Sequence, residues 1–394
     1  MINKKVSKII GPVAGVMGFM IAMGAVSVPV YAAETILSQS ADSNYEINQN
    51  GVKFKVTNII GTKNRVKINA IIERKDGISD IDHRNLQFNI YMENSEEGPS
   101  SMSWGTYGDQ NKIKIEADNE SEDGFSEKGN IRADVVMGEY DFNGSLVIPV
   151  DFTESFKQVM EKDLNAKVND DIKIVKFESD AIGTRLIVDE PLDENGFARS
   201  YYVDSMNYII KVDDRIYKIM SMGHSYDDSN NQIYETEDLK YNDIKDAGKI
   251  SIIPLKCTMT DEERENYYKN ISEDFVNSKV TSDNVVYNNE ILFTDGTKGE
   301  IQAERAEHKI KLYCSSDSDK KSMLMATGLT GIYTDKEEYF DELGCSTVYK
   351  DKDNEHQYVV EFNDTNNDKT TEVFLHGLIS NIDKFELGDE ITVK

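Results

Sequence analysis

The stretch NGVKFKVTNIIGTKNRVKI, Asn50 to Ile68, returns about 120 residues later as DDIKIVKFESDAIGTRLIV, Asp170 to Val188, without a gap. Val52 falls on Ile172, Lys53 on Lys173, Phe54 on Ile174, Arg65 on Arg185, Val66 on Leu186 and Ile68 on Val188. Each copy holds two short runs rich in Val, Ile and Phe that alternate with polar residues, the pattern of half-buried strands. A strand pair repeated at domain-sized distance constrains the chain to a series of like units.

Two further matches extend the pattern. GSLVIPVDFTESFKQVMEKDLNAKV closes the first block and GKISIIPLKCTMTDEERENYYKNISEDFVNSKV the second, each as strand, Pro, charged stretch and Lys-Val. FELGDEITVK ends the chain where a third closing strand belongs. YDDSNNQIYETEDL, Tyr226 to Leu239, aligns with FNDTNNDKTTEVFL, Phe362 to Leu375, and both read as hairpins with an Asn-Asn turn. The third unit's opening, GEIQAERAEHKIKLYC, matches the earlier openings only weakly. Short strands at this spacing predict an all-β chain of tandem immunoglobulin-like β-sandwich domains. The expected order is a signal or anchor segment at 1–32, a polar spacer at 33–44, and sandwiches at 45–155, 156–260 and 283–394. A charged connector is expected at 261–282, and a second one near 153–167.

The chain starts with Lys4, Lys5 and Lys8, followed by an uncharged run from Ile9 to Ala33. Val30-Tyr31-Ala32 has small residues where a signal peptidase reads, which predicts cleavage between Ala32 and Ala33. An uncleaved anchor is the competing reading, because the run is long enough to span a bilayer. Either way the rest of the chain is expected outside the cytoplasm, secreted or N-terminally anchored, touching membrane only through that segment.

The formal charge of -28 excludes nucleic acid as the expected partner, since phosphates call for Lys and Arg. The three cysteines, Cys257, Cys314 and Cys345, show no metal spacing and are too few for a disulfide framework. In KIKLYCSS the alternation places Ile310, Leu312 and Cys314 on one face, and a bond from Cys314 to Cys345 competes with two buried free thiols.

The sequence YEINQNGVKFKV opens a β unit behind a Lys-rich start, an apolar segment ending near Ala and a polar spacer. This arrangement resembles the domain of unknown function 4179 family over about residues 45–153, and the next block looks like the companion domain that often follows it. The resemblance implies an extracytoplasmic domain of a Gram-positive membrane protein, in many members the outer part of an anti-sigma-factor protein. It transfers no catalytic residues. Anti-sigma members carry a cytoplasmic domain ahead of the membrane segment, whereas here only Met1 to Lys8 precede the apolar run.

Chemistry-bearing motifs are sparse. Ser318-Asp319-Lys320-Lys321 fits S-x-x-K and Ser282-Asp283-Asn284 fits S-D-N, but the order is reversed from that of penicillin-interacting enzymes, no K-T-G follows, and CSSDSDKK reads as a loop. Asp364, Asn366 and Asp368 are spaced like the first half of a calcium loop. Lys369 stands where the turn wants Gly and Leu375 where the bidentate Glu belongs, so an Asx-rich turn competes. Trp104 beside Tyr107 could stack on a sugar ring or anchor a partner, or Trp104 could fill a core. The expectation is a non-enzymatic, cofactor-free surface protein for binding, sensing or adhesion, with an envelope component or another surface protein as partner. Two alternatives stay open: a wall-acting enzyme or inhibitor with loop-borne acids, and the outer sensor of an anti-sigma-type system.

Overall fold

A computed structural model describes residues 45–78, 86–92, 101–109, 111–121, 124–191, 207–224, 231–277, 279–282, 287–306, 309–334, 347–363, 371–375 and 377–394. The fold is mostly β, built from several antiparallel sheets with few helices. The segment holding Ala32 and Ala33 lies outside the described residues. Among the described residues no helix is long and apolar enough to cross a membrane.

Among the described residues the first unit has eight strands: β1 (Glu46–Gln49), β2 (Val52–Gly61), β3 (Arg65–Arg74), β4 (Gln87–Met92), β5 (Ser101–Asp109), β6 (Lys112–Glu120), β7 (Lys128–Met137) and β8 (Phe142–Asp151). They form two sheets, ordered β1-β2-β3-β6-β5 and β4-β7-β8. Asn50 and Gly51 both have positive φ and join β1 to β2 in a two-residue hairpin, as an Asn-Gly pair favours. Alternate residues of both sheets, among them Phe54, Ile68, Phe88, Ile115, Ile131 and Phe142, bury their side chains in one shared core. Each such side chain contributes roughly 1.5–3 kcal/mol when taken out of water.

The next strands are β9 (Met160–Lys167), β10 (Lys173–Ser179), β11 (Thr184–Asp189), β12 (Asn207–Val212), β13 (Arg215–His224), β14 (Gln232–Thr236) and β15 (Ile250–Cys257). Helix α1 (Thr153–Phe156) precedes them and α2 (Tyr241–Ile244) lies between β14 and β15. Helix α3 (Asp261–Asn277) then leads to β16 (Lys279–Ser282), β17 (Tyr287–Leu292), β18 (Lys298–Ala306) and β19 (Lys309–Ser316). Helix α4 (Asp319–Gly328), β20 (Leu329–Thr334), β21 (Thr347–Lys350), β22 (Gln357–Asn363) and β23 (Thr371–Leu375) follow. A 3-10 helix (Gly377–Lys384), β24 (Phe385–Leu387) and β25 (Ile391–Thr392) end the chain.

One strand order recurs. The ladder β1-β2-β3-β6-β5 has counterparts in β9-β10-β11-β14-β13 and in β17-β18-β19-β22-β21. The small sheet β4-β7-β8 has counterparts in β12-β15-β24/β25 and β20-β23-β16. The repeated sequence thus sits in both cases on the hairpin formed by the second and third strands, β2-β3 and β10-β11. The weakly matching third opening, β18-β19, takes the same place.

The outer slot of the small sheet is filled differently each time. In the first unit β8 follows β7 directly and pairs with it. In the second unit the partner of β15 comes from the chain end: Leu255 lies opposite Leu387 and Ile252 opposite Ile391. In the third unit the slot beside β23 is taken by β16, which follows the second unit through α3. Each of the last two units is therefore completed by a strand that follows the other. The break between β24 and β25 falls opposite Pro254, which has no N–H to donate, and the Gly388 N–H donates to the Pro254 carbonyl at 2.8 Å.

These two units also share a sheet, because β13 pairs with β21 through Arg215 opposite Tyr349 and Ile216 opposite Val348. Strands β12 and β15, and the Ile216–Ile219 part of β13, are buried on both faces. Tyr208, Ile210 and Ile252 enter the second core, while Ile209, Ile253 and Leu255 enter the third, against Met323, Leu324 and Phe385. This double burial accounts for the continuous apolar runs NYIIKV and ISIIPLKC.

Four sequence expectations change. FELGDEITVK pairs with β15 of the second block rather than closing a third block on its own. The matched closures occupy different places, since β8 is an edge strand while β15 has a neighbour on each side. The expected connector at 153–167 ends in β9, which pairs with β10 along its length. Tyr226–Leu239 contains β14, hydrogen-bonded to β13 as a hairpin, but in Phe362–Leu375 β22 and β23 belong to different sheets. Local composition specified those strands; pairing over long sequence distance chose their partners.

Candidate functional site

The strongest concentration of buried chemistry lies where the first unit meets the second. In β3, Val66 and Ile68 face the first core, so Arg65 and Lys67 project from the opposite face of the same strand. Glu116, Asp118 and Glu120 alternate in the same way on the neighbouring β6. Against them stand Arg185 on β11, Glu235 on β14, and Asp180 and Glu237 beside those strands.

The pairing is reciprocal. Arg65 faces Glu120 across the β3-β6 ladder, and Arg185 faces Glu235 across the β11-β14 ladder. Arg65 Nη2 donates across the junction to Glu235 Oε1, and Arg185 Nη2 donates back to Glu120 Oε1. Arg185 Nε also donates to Glu235 Oε2 at 2.9 Å, while Arg65 Nε stands 4.0 Å from Glu120. Arg65 Nη1 lies 3.8 Å from Asp180 Oδ1, and Lys67 Nζ bonds Glu237 and stands 3.8 Å from Glu116. The side chains of Arg65 and Glu235 are only 5% and 7% exposed, which takes this pair out of the class of weak surface ion pairs.

Burial works against every charge here, and the partners decide the outcome. For Glu235 burial is outweighed by Arg65 and Arg185, which hold its carboxyl below the usual carboxylate range. For Arg65 and Lys67 burial is outweighed by the surrounding acids, so both stay firmly cationic. Asp118 goes the other way. Burial pushes it up to about 6 although Lys67 and Arg65 pull it down, and its Oδ1 is buried without a hydrogen-bond partner. Three cations face six carboxylates, so the cluster is short of positive charge, and Asp118 is the acid whose carboxyl burial raises furthest. Chemically, the arrangement can lock two sheet faces together and respond to protons.

The sites expected from sequence fall elsewhere. Trp104 and Tyr107 are on β5, opposite Ala117 and Lys114 of β6, with their side chains outside the described residues. Asp364, Asn366 and Asp368, and Cys345, also lie outside them. Cys314 is a free thiol fully buried in the third core, in line with Ile310 and Leu312, and burial pushes it well above the ordinary thiol value. Ser318 opens helix α4 instead of lying in a loop, its Oγ accepting from the Lys321 N–H at 3.3 Å. Lys321 bonds Asp295 at 2.7 Å and Thr297 at 2.5 Å and packs over the Phe293 ring, so its ammonium is a clamp between α4 and the turn ahead of β18. Among the described residues no group of three or more His, Cys, Asp or Glu is placed to hold a metal ion.

No family model matches this chain, and no curated protein matches it. Among solved structures it is similar to the crystal structure of the conserved domain protein from Bacillus anthracis, with a TM-score of 0.37 and 15% identity over 57% of this chain and 81% of that one. A likeness that loose establishes neither fold nor role.

The junction residues were half visible beforehand. Arg65 and Arg185 stand at the same position of the repeat, at the start of a strand whose next residues alternate apolar and polar. A charge repeated inside two core-forming strands is the signal that could have located them. The acids were not separable from the many others in so acidic a chain.

Proposed function

We propose that this chain is a non-enzymatic, extracytoplasmic binding, sensing or adhesion protein built from tandem immunoglobulin-like β-sandwich modules. The observation that carries the reading is the junction itself. The most deeply buried charges near the repeat connect one module to the next, which favours a rigid presenting surface over a reacting centre. Modules of this kind act through surface loops and strand edges and need no reacting group. The Lys-rich start, the uncharged run to Ala33 and the resemblance to the domain of unknown function 4179 family support a location outside the cytoplasm, on an envelope component or another surface protein. Incubation of the purified protein with wall fragments tests this. Saturable pull-down without released product is the expected result, and product release overturns it.

A further inference from the structure

The outermost strand of the recurrent ladder is β5 in the first unit, β13 in the second and β21 in the third. Two of these three, β13 and β21, are paired with each other, antiparallel, through Arg215 opposite Tyr349 and Ile216 opposite Val348, in the half of β13 that also pairs with β12. The third, β5, has β6 on one side and, among the described residues, no strand on the other. We infer that the open edge of β5 is a self-association site, where two copies of the chain join β5 to β5 antiparallel and so reproduce between molecules the contact that β13 and β21 make within one.

The edge itself supports this. All nine residues of β5, from Ser101 to Asp109, pair with β6 in one unbroken register, giving a long, regular row of outward N–H and C=O groups. Natural edges are usually blunted by Lys, Pro, a bulge or shortness. SMSWGTYGD has no Lys, Arg or Pro and is uncharged up to Asp109. Two other outer ladder edges are guarded: β1 is four residues long, and β9 reads MEKDLNAK and pairs with β10 across a register shift. The occupant is a second copy because β13, the counterpart of β5, takes another outermost strand, β21, beside Arg215 and Ile216. Two identical strands pair antiparallel about a two-fold axis, so the contact closes as a dimer. Each copy carries a formal charge of -28, so repulsion opposes the approach and added salt strengthens the contact.

Sedimentation equilibrium of the full chain, held in mild detergent because of the uncharged run from Ile9 to Ala33, provides the test. The expected result is a monomer–dimer equilibrium that tightens between low and high salt. Ser103→Lys combined with Thr106→Lys places like charges in the contact and should weaken dimerisation at least tenfold. Circular dichroism melting of the variant reports whether the fold survives. Hydrogen exchange on the unaltered chain is independent of folding of the variant, and β5 amides should gain protection as concentration rises. A monomer at every concentration and salt, a dimer indifferent to the lysines, or β5 exchange indifferent to concentration overturns the inference. So does association only with a different protein through this edge.

Discussion

Arg65 and Arg185 occupy the same position in two copies of one sequence repeat, and each donates to the glutamate that faces the other across its own ladder. The repeat therefore records a joint as well as a fold, because the same side chain serves both halves of a crossed pair.

Removing one member strands a buried charge. Glu235→Gln leaves Arg65 and Arg185 short of an anion, and Arg65→Met leaves Glu235 and Asp180 short of a cation. Each single change should destabilise the chain by about 3–5 kcal/mol, and the double variant by less than the sum. A double-mutant cycle in urea reads the coupling, and additive losses would show that the crossed pair does not act as a unit.

Asp118 gives the junction a pH signature. Its folded value, near 6, lies above the ordinary value of 3.8, so the folded state holds the proton more tightly than the unfolded state. The stabilisation is complete below pH 4 and is lost as pH rises through 6, a change of up to about 3 kcal/mol. Glu235 has the opposite sign, and its contribution is lost as pH falls through its lowered folded value. Asp118→Asn should raise stability at pH 7 and flatten the profile between pH 4 and 6. Urea midpoints measured across that range decide it, and a parallel profile in the variant would refute the assignment.

Completion of each of the last two units by the other predicts the behaviour of a cut chain. A protease site engineered into α3 should yield two fragments that travel together on gel filtration and part only in denaturant, since β24 and β25 remain in the small sheet with β15. Truncation before Phe385 should unfold the second core as well as the third, because Val393 and Ile391 pack in the former and Phe385 in the latter. Fragments that separate under native conditions would contradict the exchange.

Cys314 should be silent in the native state. It is buried, and its raised thiol value keeps it protonated. Peptide-resolved labelling with a thiol reagent should modify the half-buried Cys257 first and Cys314 only on unfolding. Equal rates for the two would show that the third core opens readily.

Strand positions such as β2, β3, β6 and β19 were legible because alternation is a local signal, and Ile310, Leu312 and Cys314 fall on one buried face. The partners of β15, β16 and β24 were not legible, because a backbone ladder leaves no trace in side-chain composition. Helix α4 escaped because its start reads as a polar loop, while Met323, Leu324 and Met325 bury against the sheet once Ser318 has set the first turn. Asp118 was invisible for a different reason. Its behaviour depends on β11 and β14 closing over it from another unit.

The slot beside β15 fixes an order of events. During synthesis the polypeptide emerges from its N-terminus, and the first unit owns every strand of both its sheets by the time Asp151 appears. The second unit has no such autonomy. Its small sheet keeps a raw margin until the final residues, Phe385 onward, come free and thread back alongside Leu255 and Ile252. Maturation of the second unit is thus held until Phe385 to Val393 are released, and a molecule stalled short of them would present an adhesive β15 to whatever lies nearby.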